Sequence, residues 1–131
     1  MQKKNNILFD ASALLTLIQR EKGVELIEEL ASYAYISSVN LSEAIAVLTR
    51  TGMPKEEILE TVSSSNNNLI PFSNQEATIA GLLITETKSL GLSFADRACL
   101  ATGICHHMDI YTADKAWANL DIPNLKIHLI R

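Results

Sequence analysis

The sequence predicts an α/β fold, with short strands alternating with helices around a parallel sheet. Three observations predict it. Short apolar runs such as ILF at 7–9 and IHLI at 127–130 are nearly continuous, as in strands covered on both faces. Stretches with apolar residues at helical spacing separate those runs. Alternation of this kind favours parallel pairing through right-handed crossovers. The 131 residues are expected to form one domain, 1–131, large enough to bury roughly two-thirds of its unfolded surface.

The elements follow in order. Asn6–Phe9 reads as a buried strand ending at Asp10. Ala11–Arg20 reads as a helix with Leu14, Leu15, Leu17 and Ile18 on a broad apolar face, broken at Gly23. Val24–Ala31 repeats the pattern with Glu25, Glu28 and Glu29 outward. Tyr33–Ser37 is a second strand and Asn40–Arg50 a helix stopped by Gly52. Pro54 suits the first turn of a helix reaching about Val62. The polar run Ser63–Asn68 reads as a loop and Asn68–Pro71 as a third strand. Ser73 caps a long helix running to Ser89 and ended by Gly91. Ser93–His106 is a helix rich in small residues, which suits close packing on a sheet. Asp109–Thr112, Asp114–Asn119 and Lys126–Ile130 read as strand, short helix and last strand.

Composition narrows the function classes. No apolar run approaches the roughly 20 residues that span a bilayer. The basic start Met1–Asn6 has no apolar stretch long enough for a secretory signal. A soluble, cytoplasmic protein without membrane partners is expected. The net charge of −4 argues mildly against nonspecific nucleic-acid binding, although local basic residues matter more than the sum. Cys99 and Cys105, six apart on one helix, point to different faces and are expected to be unpaired thiols. Cys105-His106-His107 lacks the spacing of a tetrahedral zinc set, and its histidines suit a helix C-terminus. Trp117 and the tyrosines are too scattered for a base-stacking platform. Phosphate-binding glycine loops and a serine-hydrolase elbow are absent from the sequence.

Four acids remain: Asp10, Glu43, Asp96 and Asp114, each where an apolar run gives way to a helix, in ILFDASALL, VNLSEAIAVL, LSFADRACLA and YTADKAW. Each alone has a plain explanation as a helix cap. Glu43 follows Asn40 and Asp96 follows Ser93 at the three-residue spacing of a capping box. Parallel α/β folds, however, bring the carboxyl ends of their strands to one edge. Four carboxylates meeting there need compensation, and a divalent cation with hard oxygen ligands supplies it. Ser12 and Thr112 are the nearest hydroxyls. Arg97 reads as an ion pair with a neighbouring helix or as a clamp for a carboxylate or phosphate.

Taken together and in order, DASALL, SxVNLSEA, GLSFADRACLA and YTADKAW resemble the PIN-domain family, and more closely its VapC-type ribonuclease toxins of bacterial toxin–antitoxin pairs. The resemblance runs from Leu8 to Arg131. It implies a three-layer α/β/α domain with a central parallel sheet of order 3-2-1-4-5. It carries the family's acids onto Asp10, Glu43, Asp96 and Asp114, and its hydroxyls onto Ser12 and Thr112. The implied activity is endonucleolytic hydrolysis of RNA, leaving a 5′ phosphate and a 3′ hydroxyl. Mg²⁺ or Mn²⁺ would be held mainly by Asp10, Asp96 and Asp114, with Glu43 completing the shell or orienting water. A homodimer and a neutralising antitoxin are implied as partners. The stretch Cys105–Met108 lacks the Gly-rich turn often seen in the family. Two other readings of the same residues are a noncatalytic binding or dimerisation module and a phosphoryl-accepting receiver-like domain. The latter wants an adjacent acidic pair after the first strand, which this sequence lacks.

Overall fold

The computed structural model describes residues 6–65 and 68–131. The chain runs β1 (Ile7–Phe9), α1 (Ala11–Gln19), α2 (Val24–Ile27), β2 (Tyr35–Ser37), α3 (Ser38–Arg50), α4 (Lys55–Ser65) and β3 (Leu69–Ile70). It continues through α5 (Asn74–Leu82), α6 (Ile84–Thr87), α7 (Phe94–His106), β4 (Asp109–Thr112) and β5 (Ile127–Leu129). The five strands are all parallel, in the order β3-β2-β1-β4-β5. This is the order that the resemblance implies.

Alternation along the strands divides the core. Ile7, Phe9 and Tyr111 pack with Ala13 of α1, Ile27 of α2 and Ile130 on one face. Leu8 and Ile110 turn the other way, to Ala80 of α5, to Cys99, Leu100 and Ala101 of α7, and to Trp117. A third cluster of Ala11, Leu14, Ile36 and Ala44 joins α1 to α3 beside the sheet. Helices therefore cover both faces in a three-layer α/β/α arrangement. Small residues let α7 lie close to the sheet: a Cβ on Gly103 would stand 2.7 Å from Ile110 Cδ1. The strand register sets Phe9 beside Ile36 and Tyr111, so the three central strands finish together.

Several boundaries differ from the sequence reading. The helix expected over Val24–Ala31 becomes a 3-10 turn at Glu28–Leu30. Ser63–Ser65, read as loop, complete the last turn of α4, where Ser64 and Ser65 hydroxyls donate to the carbonyls of Glu60 and Thr61. The rest of that loop, Asn66 and Asn67, lies outside the described residues, as does the basic start Met1–Asn5. The long helix from Ser73 is interrupted at Leu83. Leu83 takes φ −70 and ψ −4, while its N–H keeps the 3.0 Å bond to the Ile79 carbonyl, and Leu83 and Thr87 both face the core. A 3-10 turn, Lys88–Leu90, then leads to Gly91 at φ 69. The segment after β4 is a 3-10 turn, Lys115–Asn119, capped by Asp114.

One close approach ties the last residues to the first helices. Gly23 has φ +99, and a Cβ there would lie 2.1 Å from the Ile130 carbonyl oxygen. Arg131 Nη1 donates to Thr16 Oγ1 and to the Lys22 carbonyl, each at 2.9 Å.

Candidate functional site

Asp10 follows the last residue of β1 and caps α1 from an extended backbone. Its Oδ1 accepts from the Ala13 N–H at 2.8 Å and from Ser12 Oγ at 2.7 Å. Its Oδ2 accepts from Thr112 Oγ1 at 2.6 Å. Both hydroxyl protons are thus committed to the carboxylate, and the 3.2 Å approach of Ser12 Oγ to Thr112 Oγ1 is a proximity between two acceptors. The hydroxyls in turn accept from backbone: Ser12 from Ala113 N–H at 2.8 Å, Thr112 from Asp114 N–H at 3.0 Å. The pair links the end of β1 to the end of β4. Asp10 is only 5% exposed. Burial raises its carboxyl to about 6, against the lowering by Thr112, Ser12 and Ala13, and the charge of Asp96 adds to the rise.

Glu43 is not a cap. Helix α3 starts at Ser38 because the Ser37 hydroxyl accepts from the Val39 N–H, which places Glu43 inside the helix. Asn40 positions it instead: Nδ2 donates to Glu43 Oε1 at 3.2 Å and to the Ala95 carbonyl at 3.0 Å. One buried amide therefore ties the acid on α3 to the first turn of α7. Asn40 Oδ1 is buried with no hydrogen-bond partner among the described residues. Burial raises the Glu43 carboxyl, the Asn40 bond opposes the rise, and Asp96 adds to it. The sequence reading missed the positioning role of Asn40. Its signal was the Asn-x-x-Glu spacing, which on a helix sets two side chains on one face.

Asp96 and Asp114 do cap. Ser93 and Asp96 form a capping box, with Ser93 N–H donating to Asp96 Oδ2 at 2.9 Å and Asp96 N–H to Ser93 Oγ at 3.2 Å. Asp114 Oδ1 accepts from the Ala116 N–H at 3.0 Å, and the residue is exposed. Asp96 acts on both Asp10 and Glu43, and all three acids act on Cys99. Burial, followed by those three charges, drives the Cys99 thiol well above its ordinary range. Asp10, Glu43 and Asp96 thus all lie near enough to Cys99 for their charges to act on its thiol. Asp114 joins Asp10 through its backbone bond to Thr112, while its carboxylate turns to its own helical turn.

Among the described residues Arg97 forms no ion pair. Its Nε donates to the Ala80 carbonyl at 3.1 Å, and its guanidinium lies 6.0 Å from the Phe94 ring centroid. The α5 carbonyl lies within reach along the packed α5–α7 pair, and that contact draws the side chain away from any carboxylate. Among the described residues no Lys or Arg pairs with Asp10, Glu43, Asp96 or Asp114. Concentrated oxygen ligands without a compensating cation fit a hard divalent ion in charge and chemistry. Among the described residues no three acidic, histidine or cysteine side chains are already disposed as a cage. Glu43, Asp96 and Asp114 would have to turn from their present partners to complete one.

A model of the PIN domain matches residues 7–123. No curated protein matches the chain by sequence. Solved structures do resemble it. A toxin–antitoxin complex from Klebsiella pneumoniae aligns with a TM-score of 0.70 at 24% identity, over 91% of this chain and 94% of that one. VapBC2 from Rickettsia felis, bound to a DNA fragment from its promoter, aligns with 0.72 at 20%, over 94% and 97%. The sarcin–ricin-loop-cleaving toxin VapC20 of Mycobacterium tuberculosis aligns with 0.71 at 14%, over 88% and 96%. At these identities the structures establish likeness of fold. The chain belongs to the PIN domain family.

Proposed function

We propose that the chain is a metal-dependent endoribonuclease, the VapC-type toxin of a toxin–antitoxin pair. The observation that carries this reading is the buried Asp10 carboxylate at the end of β1, held by Ser12 and Thr112 and sensing the charge of Asp96, with no Lys or Arg paired to it among the described residues. The neighbours named as toxins, one of them RNA-cleaving by its description, support the same reading. Asp10, Asp96 and Asp114 would hold Mg²⁺ or Mn²⁺, and Glu43 would complete the set or orient water. When bound, such an ion supplies Lewis-acid activation of water and offsets charge developing on the phosphate.

The protein's own residues supply the rest. Ser12 and Thr112 fix both oxygens of Asp10, so the central carboxylate is preorganised before substrate arrives. Asn40 holds Glu43 against the first turn of α7. A cognate antitoxin, a homodimeric state and a cytoplasmic location belong to this reading. Among the described residues no helix is long and apolar enough to cross a membrane.

The test is cleavage of purified total RNA with Mg²⁺ or Mn²⁺, with 5′ ends mapped, for the parent protein and Asp10→Asn. Cleavage should require the metal, vanish in the variant and leave 5′ phosphates. Activity that survives EDTA, or is equal in Asp10→Asn, would sink the assignment. Absence of Mn²⁺ binding in a calorimeter would favour a noncatalytic module on the same fold.

A further inference from the structure

Phe94 opens α7, two residues before Asp96, and is 51% exposed. A large ring half-exposed at the start of a helix gains little from the core. Its edge is nevertheless fixed: Phe72 meets it at 5.6 Å between centroids and 85° between planes. Phe72 is itself anchored, since its N–H donates to Ser38 Oγ at 3.1 Å. On the same helical face, one turn along, Arg97 is held by its Nε on the Ala80 carbonyl. Its two terminal nitrogens have no protein partner among the described residues. An immobilised aromatic ring beside an unfilled guanidinium presents the two features that unpaired RNA recognises: a surface for a base and a donor pair for a phosphate.

We propose that Phe94, backed by Phe72, is a stacking platform for an unpaired base of the RNA substrate, and that Arg97 takes an adjoining phosphate. The proposal rests on the ribonuclease reading and adds a substrate-positioning subsite to it. Phe94 and Asp96 are about 200° apart around the helix, so the platform and the acid cluster stand a helix width apart, roughly 10 Å. A short single strand can lie across both. The local cation favours RNA over a second copy of the chain: Arg97 complements a phosphate, whereas a two-fold contact centred here would set it against its own equivalent.

The test uses the full chain in the Asp10→Asn background, where RNA is not consumed, and fluorescein-labelled single-stranded oligouridylate and oligoadenylate. Phe94→Ala should raise Kd about tenfold for both, because stacking tolerates any base. Phe94→Trp should retain the affinity. Arg97→Gln should weaken binding and reduce the log–log salt slope by about 0.7, one phosphate's worth for a single strand. In the catalytically intact chain, Phe94→Ala should raise KM for RNA far more than it lowers kcat. Unchanged Kd in Phe94→Ala overturns the proposal. So does a fall in mass by light scattering, which would assign the ring to an interface between copies. If the chain with Asp10 intact neither binds nor cuts RNA, the ribonuclease reading falls first and the platform with it.

Discussion

Asp10 shows how burial and function oppose each other at a single residue. Its carboxyl lies at about 6 in the folded chain against an ordinary 3.8. Between those values the folded protein holds a proton that the unfolded chain has released, so stability falls as pH rises. The metal-free protein should lose up to about 3 kcal/mol from this group between pH ~4 and ~7. Asn keeps the capping ability and carries no charge. Asp10→Asn should therefore be more stable than the parent in urea at neutral pH without metal, and the advantage should vanish near pH 4. Added Mn²⁺ should stabilise the parent and leave the variant unmoved. Asn40 acts on a different scale of effect. Asn40→Ala releases Glu43 and removes the side-chain donor to the Ala95 carbonyl, and should reduce metal-dependent cleavage roughly tenfold to a hundredfold, with weaker Mn²⁺ binding by calorimetry. Asp10 and Asp114 were legible because each follows a strand and opens a helical turn, and Glu43 and Asp96 because of the motifs around them. The Phe72–Phe94 pair was not, because nothing local marks two rings that lie far apart in the chain and meet only through the packing of α7 beyond β3.

Between elements, the clearest device is the clamp of α5 on α7. Glu76 closes a capping box with Ser73 and reaches across to His106 Nε2 at 2.6 Å, while only 2% exposed. Burial pushes its carboxyl up, but the Ser73 hydroxyl, His106 and nearby amides outweigh burial and hold it at about 2. This sign is opposite to that of Asp10: the stabilisation is complete above pH ~4.5 and is lost as pH falls toward 2. Glu76→Gln should cost up to about 3 kcal/mol at neutral pH and flatten the acid limb of the stability curve, read by urea denaturation at several pH values. The capping Ser73 could be read from the sequence. The partner on α7 could not, since a helix-terminal histidine is equally at home in the dipole of its own helix. The break at Leu83 escaped for a similar reason. Local periodicity continued through it, since Leu83 and Thr87, four apart, share a face whether or not the helix is broken.

At the scale of the whole molecule, the alternation of strand and helix announced a parallel sheet, and the family motifs its order. The short strands, some of two or three residues, blurred their own limits because the pairing partners decide where a strand stops. Closure of the domain depends on Gly23. A side chain there would strike the Ile130 carbonyl while forcing an L residue to φ +99. Gly23→Ala should destabilise by about 2–4 kcal/mol and speed amide exchange in β5 selectively, as Arg131 loses its hold on Thr16 and Lys22. Cys99, buried beneath the carboxylates and sensing the charge of three of them, has a different use. The S–H stretch of a thiol falls in an infrared window free of other protein bands, and its frequency follows the local electric field. With Cys105 replaced by Ser, a single vibrational band would report each change of charge at the site directly, without a label and without waiting for a cut strand of RNA.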